Sequence, residues 1–360
     1  MHHHPSAVSP SDVRPSPSLF SRSSRRLPPL AMAAACVKAA SAAGVARHHA
    51  TEHPARTRMR VAMGWTDDYD YEDDCRLGEG SFGSVIRARH RATGQAVAIK
   101  RLTDAGGNEE LLRESLLLEA ASAGNPFVVG CRGLVRDPAT FDLCLVMDCG
   151  GASLRDALRR QPGPLPEDTV RKAMWMLLTG AKGMHGAHIM HRDIKPHNIL
   201  LGDDETLRFC DFGLAVDMAA EPPPYGKAGT RWYMAPEVLL GKPDYDARVE
   251  VWSLGCVMAQ LVTGEAPFQS VDDEDQLRAI FGVLGVPDDA GWPWPWLWST
   301  QFATELDKQR CNESVLRRKF PETKLSKEGL DLLSGLLTCN PNKRLTTAAA
   351  LKHPWFSKMD

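Results

Sequence analysis

From about Asp70, apolar and polar residues alternate in short runs: Tyr71 to Leu77, Ser84 to Arg89, then Gln95 to Arg101. A period of two marks half-buried strands, and the glycine-rich and polar turns between the runs make them antiparallel hairpins. Gly106-Gly107-Asn108 breaks the alternation and supplies an N-cap. A helix is therefore predicted from about Glu109 to Ala121, followed by strands around Val128 to Arg136 and Leu143 to Met147. After Gly150-Gly151 the period lengthens to that of a helix. Leu165-Pro166-Glu167 opens a long one, with Val170, Met174, Leu178 and Ala181 on one face. Further helices are predicted at Arg248 to Thr263, Gln276 to Leu284, Lys327 to Leu337 and Thr346 to Leu351. A small strand-rich part, 70–148, followed by a large helical part, 149–357, predicts an α+β protein of two lobes with a cleft between them. Ligand sites favour such junctions.

The first 64 residues follow neither period. They carry only Asp12 and Glu52 as acids against nine Arg or Lys, in a background of Ser, Pro and Ala. Such a segment buries too little apolar surface to order itself, so a disordered tail is expected. An organelle transit peptide has the same acid-poor look, and a start at Met32 or Met63 is the third reading. His2 to His4 is too short for a metal site. The net charge of -2, from mixed acids and bases, gives no field of one sign, so no general binding of nucleic acid is expected. No stretch approaches the roughly eighteen uninterrupted apolar residues of a membrane span, and none is expected. The nine cysteines show no CxxC pair and no histidine at zinc spacing. Reduced thiols are expected, and with them a nuclear or cytoplasmic location, organelle import through the tail being the alternative.

Candidate chemistry begins at Gly78-Glu79-Gly80-Ser81-Phe82-Gly83-Ser84-Val85. Glycines let the backbone approach closely, so that its N–H groups lie over phosphate oxygens. The same spacing occurs in dinucleotide folds and plain hairpins, but a dinucleotide fold needs a helix directly after the glycines, and here a strand follows. Lys100 closes the run Val97-Ala98-Ile99-Lys100, seventeen residues past Gly83. After a glycine loop it reads as the cation that grips the α- and β-phosphates rather than as a plain exposed charge. The decisive stretch is His191-Arg192-Asp193-Ile194-Lys195-Pro196-His197-Asn198, followed by Asp211-Phe212-Gly213. Phosphoryl transfer to a hydroxyl needs a proton acceptor, cations on the phosphates and oxygen ligands for magnesium. Asp193 suits the first role, Lys195 can meet the transferring phosphate, and Asn198 and Asp211 offer hard oxygens to the metal.

In this order and spacing, with Ala235-Pro236-Glu237 following, the chain resembles the serine/threonine protein kinases from about Asp70 to Phe356. Lys195 marks the serine/threonine class. The resemblance implies a bilobal kinase fold, MgATP as phosphoryl donor and protein hydroxyls as acceptors. It maps the adenine slot onto Leu77, Val85, Ala98, Met147 and Leu200, and the hinge onto Asp148, Cys149 and Gly150. Glu237 is expected to pair with a buried arginine, matched by Arg344. A glutamate on the first large helix is expected to pair with Lys100. Periodicity leaves Glu114 and Glu119 open, and Arg113-Glu114 followed by apolar residues favours Glu114. A catalytically weak pseudokinase or scaffold is the alternative.

Trp252-Ser253-Leu254-Gly255-Cys256, Leu284-Gly285-Val286-Pro287 and His353-Pro354-Trp355-Phe356 resemble the cyclin-dependent kinases in particular. That implies an insert at about 287–320. Trp292, Trp294, Trp296 and Trp298 there read as anchors on the lobe or as a docking patch for a partner. Several positions depart from the family. No Ser or Thr lies between Asp211 and Gly229, Tyr225 stands near the usual phosphothreonine, and Val216 replaces a phosphate-clamping arginine. Activation by loop threonine phosphorylation is therefore not expected, Thr230 included. Ser81 and Phe82 replace a Thr-Tyr pair, Met234 an arginine that shapes the pocket for a following proline, and Glu250 an aspartate that braces the catalytic loop. A cyclin or other regulatory subunit remains an open expectation, because the helix around Glu114 lacks the full cyclin-binding motif.

Overall fold

The computed structural model describes residues 63–80, 83–102, 107–285 and 313–359. The alternating runs form one six-stranded sheet: β1 (Met63–Trp65), β2 (Tyr69–Gly80), β3 (Gly83–His90), β4 (Ala96–Leu102), β5 (Cys131–Arg136) and β6 (Leu143–Asp148). Their spatial order is β1-β5-β6-β4-β3-β2. All neighbours are antiparallel except β1, which runs parallel to β5. Period-two alternation sends Ala88, Val97, Ile99, Val135, Cys144 and Val146 into one buried cluster, with Tyr69 and Tyr71 packed against it. Helix α1 (Gly107–Ser122) packs on β5 and β6. Its buried positions Leu111, Glu114, Leu118 and Ala121 recur every three or four residues, which is one face of a helix.

The larger lobe holds α2 (Leu154–Arg160), α3 (Glu167–Gly186), α4 (Pro236–Leu239), α5 (Arg248–Thr263), α6 (Asp273–Leu284), α7 (Glu313–Lys319), α8 (Lys327–Leu336) and α9 (Thr347–Ala350). Helix α5 is apolar almost all round, from Val249 to Val262, so it runs through the core rather than over it. Trp252 within it is fully buried and stacks on Phe268. Glu167, in the first turn of α3, gathers the end of the chain. It accepts hydrogen bonds from Ser326 N at 2.9 Å, Ser326 Oγ at 2.5 Å and Trp355 Nε1 at 2.5 Å, while Arg171 lies over the Trp355 ring.

Short strands complete the frame of the site: β7 (Ala152–Ser153), β8 (Ile189–Met190), β9 (Ile199–Leu201), β10 (Leu207–Phe209) and β11 (Val216–Asp217). One boundary needs correction. Met63 and Gly64, placed in the tail by composition, belong to β1, paired with Leu134 and Val135. A three-residue edge strand is held by main-chain hydrogen bonds, which composition does not report. Residues 1–62, Ser81, Phe82 and the four tryptophans of the insert lie outside the described residues. Of the segment 287–320, the described part is the helix α7 and Phe320.

Candidate active site

Strand register brings the small lobe's residues to the cleft. Lys100 pairs with Val85 on one side and Leu145 on the other, and Ala98 pairs with Met147. Gly78 faces Val85, Glu79 faces Ser84 and Gly80 faces Gly83, so the glycine motif is a hairpin crossing from β2 to β3. Gly83 has φ +149, and a Cβ there would sit 1.9 Å from Arg101 O, so only glycine fits. Ala98 and Met147 are buried, Val85 and Leu200 half-buried, and Leu77 exposed. Past β6 the chain crosses between lobes at Asp148, Cys149 and Gly150. A Cβ on Gly150 would meet Leu200 at 2.5 Å, which brings hinge and β9 into close approach. Asp148 is tied back by Arg132 at 2.6 Å.

Lys100 Nζ donates to Glu114 Oε1 at 2.9 Å and Oε2 at 2.8 Å, and to Asp211 Oδ1 at 2.8 Å. Glu114, not Glu119, therefore meets the lysine. Five residues apart on a helix is a rotation of about 140°, so the two glutamates cannot share a target. Glu119 lies beside Cys131 instead, where its charge helps to raise the thiol's pKa, after the larger effect of burial. Burial disfavours the Lys100 ammonium, yet the two carboxylates outweigh it and lift its pKa above that of an ordinary lysine. Burial likewise opposes the Asp211 carboxylate, and Lys100 holds its pKa below the ordinary aspartate value.

The catalytic-loop stretch supplies the other half. Asp193 Oδ1 accepts from Thr230 Oγ1 at 2.8 Å, and Oδ2 from Asn198 Nδ2 at 3.0 Å with Lys195 Nζ at 2.7 Å. Lys195 also donates to Thr230 Oγ1 at 2.8 Å, so one hydroxyl serves as donor and acceptor between the two charged groups. His191 Nδ1 accepts from Asp193 N and its Nε2 bonds Cys210 O, which joins the two motifs. Arg192 and Asp211 both adopt left-handed φ, 66° and 64°. Such strain concentrates where a site over-determines its backbone. Glu250 is part of that restraint: its Oε1 takes Arg192 N at 2.7 Å and its Oε2 bonds His185 Nε2 at 2.6 Å. Phe212 is fully buried, with its ring against His191.

The two hard-oxygen residues suit a magnesium ion bound with a polyphosphate. Asn198 uses its NH₂ on Asp193, which leaves its oxygen free, and Asp211 Oδ2 has no partner among the described residues. Among those residues no three His, Cys, Asp or Glu side chains form a cage, and magnesium ordinarily takes one or two protein oxygens with phosphates and water completing its shell.

Further along, Glu237 and Arg344 form a bidentate pair at 2.6 and 2.8 Å, with side chains 2% and 0% exposed. Met234 is buried and lines, with Ala228, Thr230, Tyr233 and Val238, a hollow next to Asp193. Tyr225 is half-buried, its ring against Tyr245 and its N–H on Pro243 O. Val216 is buried in β11. Sequence reasoning placed Thr230 in the loop but missed its bond to both Asp193 and Lys195, and missed His185 entirely. No local pattern marks either, since each meets a partner brought there by folding.

A family model described as the protein kinase domain matches residues 71–356. The chain is 41% identical over 300 residues to the "Putative cyclin-dependent kinase F-2" of Oryza sativa subsp. japonica, covering 81% of this chain and 90% of that protein. It is 36% identical to "Cell division control protein 2 homolog 3" of Trypanosoma brucei brucei, covering 84% and 97%. With "Cyclin-dependent kinase G1" of Arabidopsis thaliana the identity is 34%, over 84% of this chain but about half, 51%, of that one.

Proposed function

The chain belongs to the protein kinase family as a serine/threonine kinase similar to the cyclin-dependent kinases, and on that premise we propose how its residues divide the work. ATP bound with Mg²⁺ supplies the γ-phosphoryl group and the positive charge that neutralises its oxygens. Lys100, kept charged and aimed by Glu114, holds the α- and β-phosphates under the backbone of Gly78, Gly80 and Gly83. Asn198 and Asp211 hold the metal. Leu77, Val85, Ala98, Met147 and Leu200 enclose the base, which bonds the main chain between Asp148 and Gly150. Asp193 accepts the proton of the substrate hydroxyl as its oxygen takes the phosphoryl group, giving phosphoprotein and ADP. Lys195 meets the charge of the moving phosphate, and Thr230 holds Asp193 and Lys195 in register.

The observation that carries this division is the Lys100 ammonium bound at once to Glu114 and Asp211. It joins three separated stretches of the chain in one cleft. Protein substrates follow from the family. A cyclin-type subunit is a further proposal, supported by α1, which presents the large apolar Leu112, 44% exposed, two residues before the buried Glu114. Purified chain with MgATP should phosphorylate a basic or proline-containing protein substrate. Asp193→Ala should lower that rate by about 10² to 10⁴, the usual worth of a positioned general base. Equal inertness of wild type and variant, with and without added cyclins, would instead favour a scaffold.

A further inference from the structure

The activation segment has no Ser or Thr between Asp211 and Gly229, and apolar Val216 stands buried where the resemblance leads one to expect an arginine. What the segment carries instead is Glu221. Its carboxylate accepts from Arg113 Nη2 through Oε1 at 3.0 Å and Oε2 at 3.2 Å, across 108 residues of sequence. Arg113 directly precedes Glu114 on α1, so whatever holds Arg113 also bears on the glutamate that aims Lys100.

The backbone carrying Glu221 is fixed rather than free. Glu221 N donates to Asp217 O at 2.8 Å, and Asp217 Oδ1 accepts from Ala219 N at 2.9 Å and Ala220 N at 3.2 Å. Asp217 in turn pairs with Ile189 in β8, two residues before His191, and Met218 N bonds His188 O at 2.8 Å. The carboxylate is thus referenced to the catalytic loop on one side and, through Arg113, to α1 on the other.

We propose that Glu221 is a positioning residue for phosphoryl transfer: a fixed carboxylate that holds α1 through Arg113, so that Glu114 stays on Lys100 without any loop phosphate. This rests on the kinase reading above. The pair is partly exposed, 39% and 48%, so its effect is graded rather than absolute.

The test is a double-mutant cycle on the full chain, treated with a phosphatase and shown by mass to carry no phosphate. Glu221→Gln and Arg113→Gln should each lower kcat by about two- to five-fold, the range of an exposed ion pair, with KM for the protein substrate unchanged. The double variant should be no worse than either single, because the two residues act through one contact. Arg113→Lys, which keeps the charge, should retain most of the activity. Unchanged kcat in Glu221→Gln, additive losses, or a wild type that loses activity on phosphatase treatment would each overturn the proposal. If the wild type proves inert toward protein substrates, the kinase reading is what fails. The pair is then judged by whether the same non-additivity appears in the rise of melting temperature caused by MgATP.

Discussion

At the head of α5, Glu250 stands where the family resemblance leads one to expect an aspartate, and its carboxylate spans two partners, Arg192 N and His185. Burial opposes its charge, but the His185 contact and the Arg192 N–H outweigh that and hold its pKa below the ordinary 4.5. A carboxyl group whose folded pKa is depressed contributes stability in full above its unfolded value and loses it as the pH falls through the folded one. Unfolding free energy measured from about pH 6 down to pH 3 should therefore fall more steeply in the wild type than in Glu250→Gln. Parallel curves would show that the charge contributes nothing. The substitution itself was visible in the sequence, and the family resemblance gave the bracing role to the aspartate that it replaces. His185 was not, because its partner lies 65 residues away and no motif relates them.

At the scale of elements, legibility followed period and length. Strands β2 to β6 and helices α5 and α8 begin and end within a few residues of where alternation or 3.6-residue spacing puts them, and α3 begins where Pro166-Glu167 opens it. The two-residue strands β7, β8 and β11 have no period to read, and α2 is a two-turn helix capped by Ser153, whose Oγ accepts from Asp156 N. The contact between α4 and the turn after α8 was legible only through the family resemblance. Glu237 and Arg344 sit 107 residues apart, and Arg344 also donates to Cys339 O, Thr338 O and Arg248 O, so the guanidinium ties α4, α5 and the turn after α8 together. Removing one member of such a buried pair leaves an uncompensated charge, at a cost of about 3–5 kcal/mol. Arg344→Met should lose about that much in denaturant-measured stability. Arg344→Met with Glu237→Leu should lose less, since two apolar groups leave no orphaned charge. A single variant as stable as wild type would show that the pair does not hold the lobe.

Across the whole molecule, the site is divided between lobes. Lys100 and Glu114 come from the sheet and α1, while Asp193, Asn198 and Asp211 come from the helical lobe; the Lys100–Asp211 contact spans 111 residues. A nucleotide that touches both halves binds the folded chain and not the unfolded one. MgATP at about a hundred times its dissociation constant should therefore stabilise the chain by about 2.7 kcal/mol, read as a rise in melting temperature. Lys100→Met and omission of magnesium should each shrink that rise, and an unchanged rise in both would exclude the assigned phosphate and metal roles. The same long sequence separations bear on synthesis. Glu167 is made early, yet its partners Ser326 and Trp355 follow 159 and 188 residues later. At roughly 5–20 residues per second, the first turn of α3 waits about 10–40 s for the groups that satisfy it. The helical lobe thus cannot close until the segment carrying Trp355 has been made, and the nascent chain must shelter a half-built core until then.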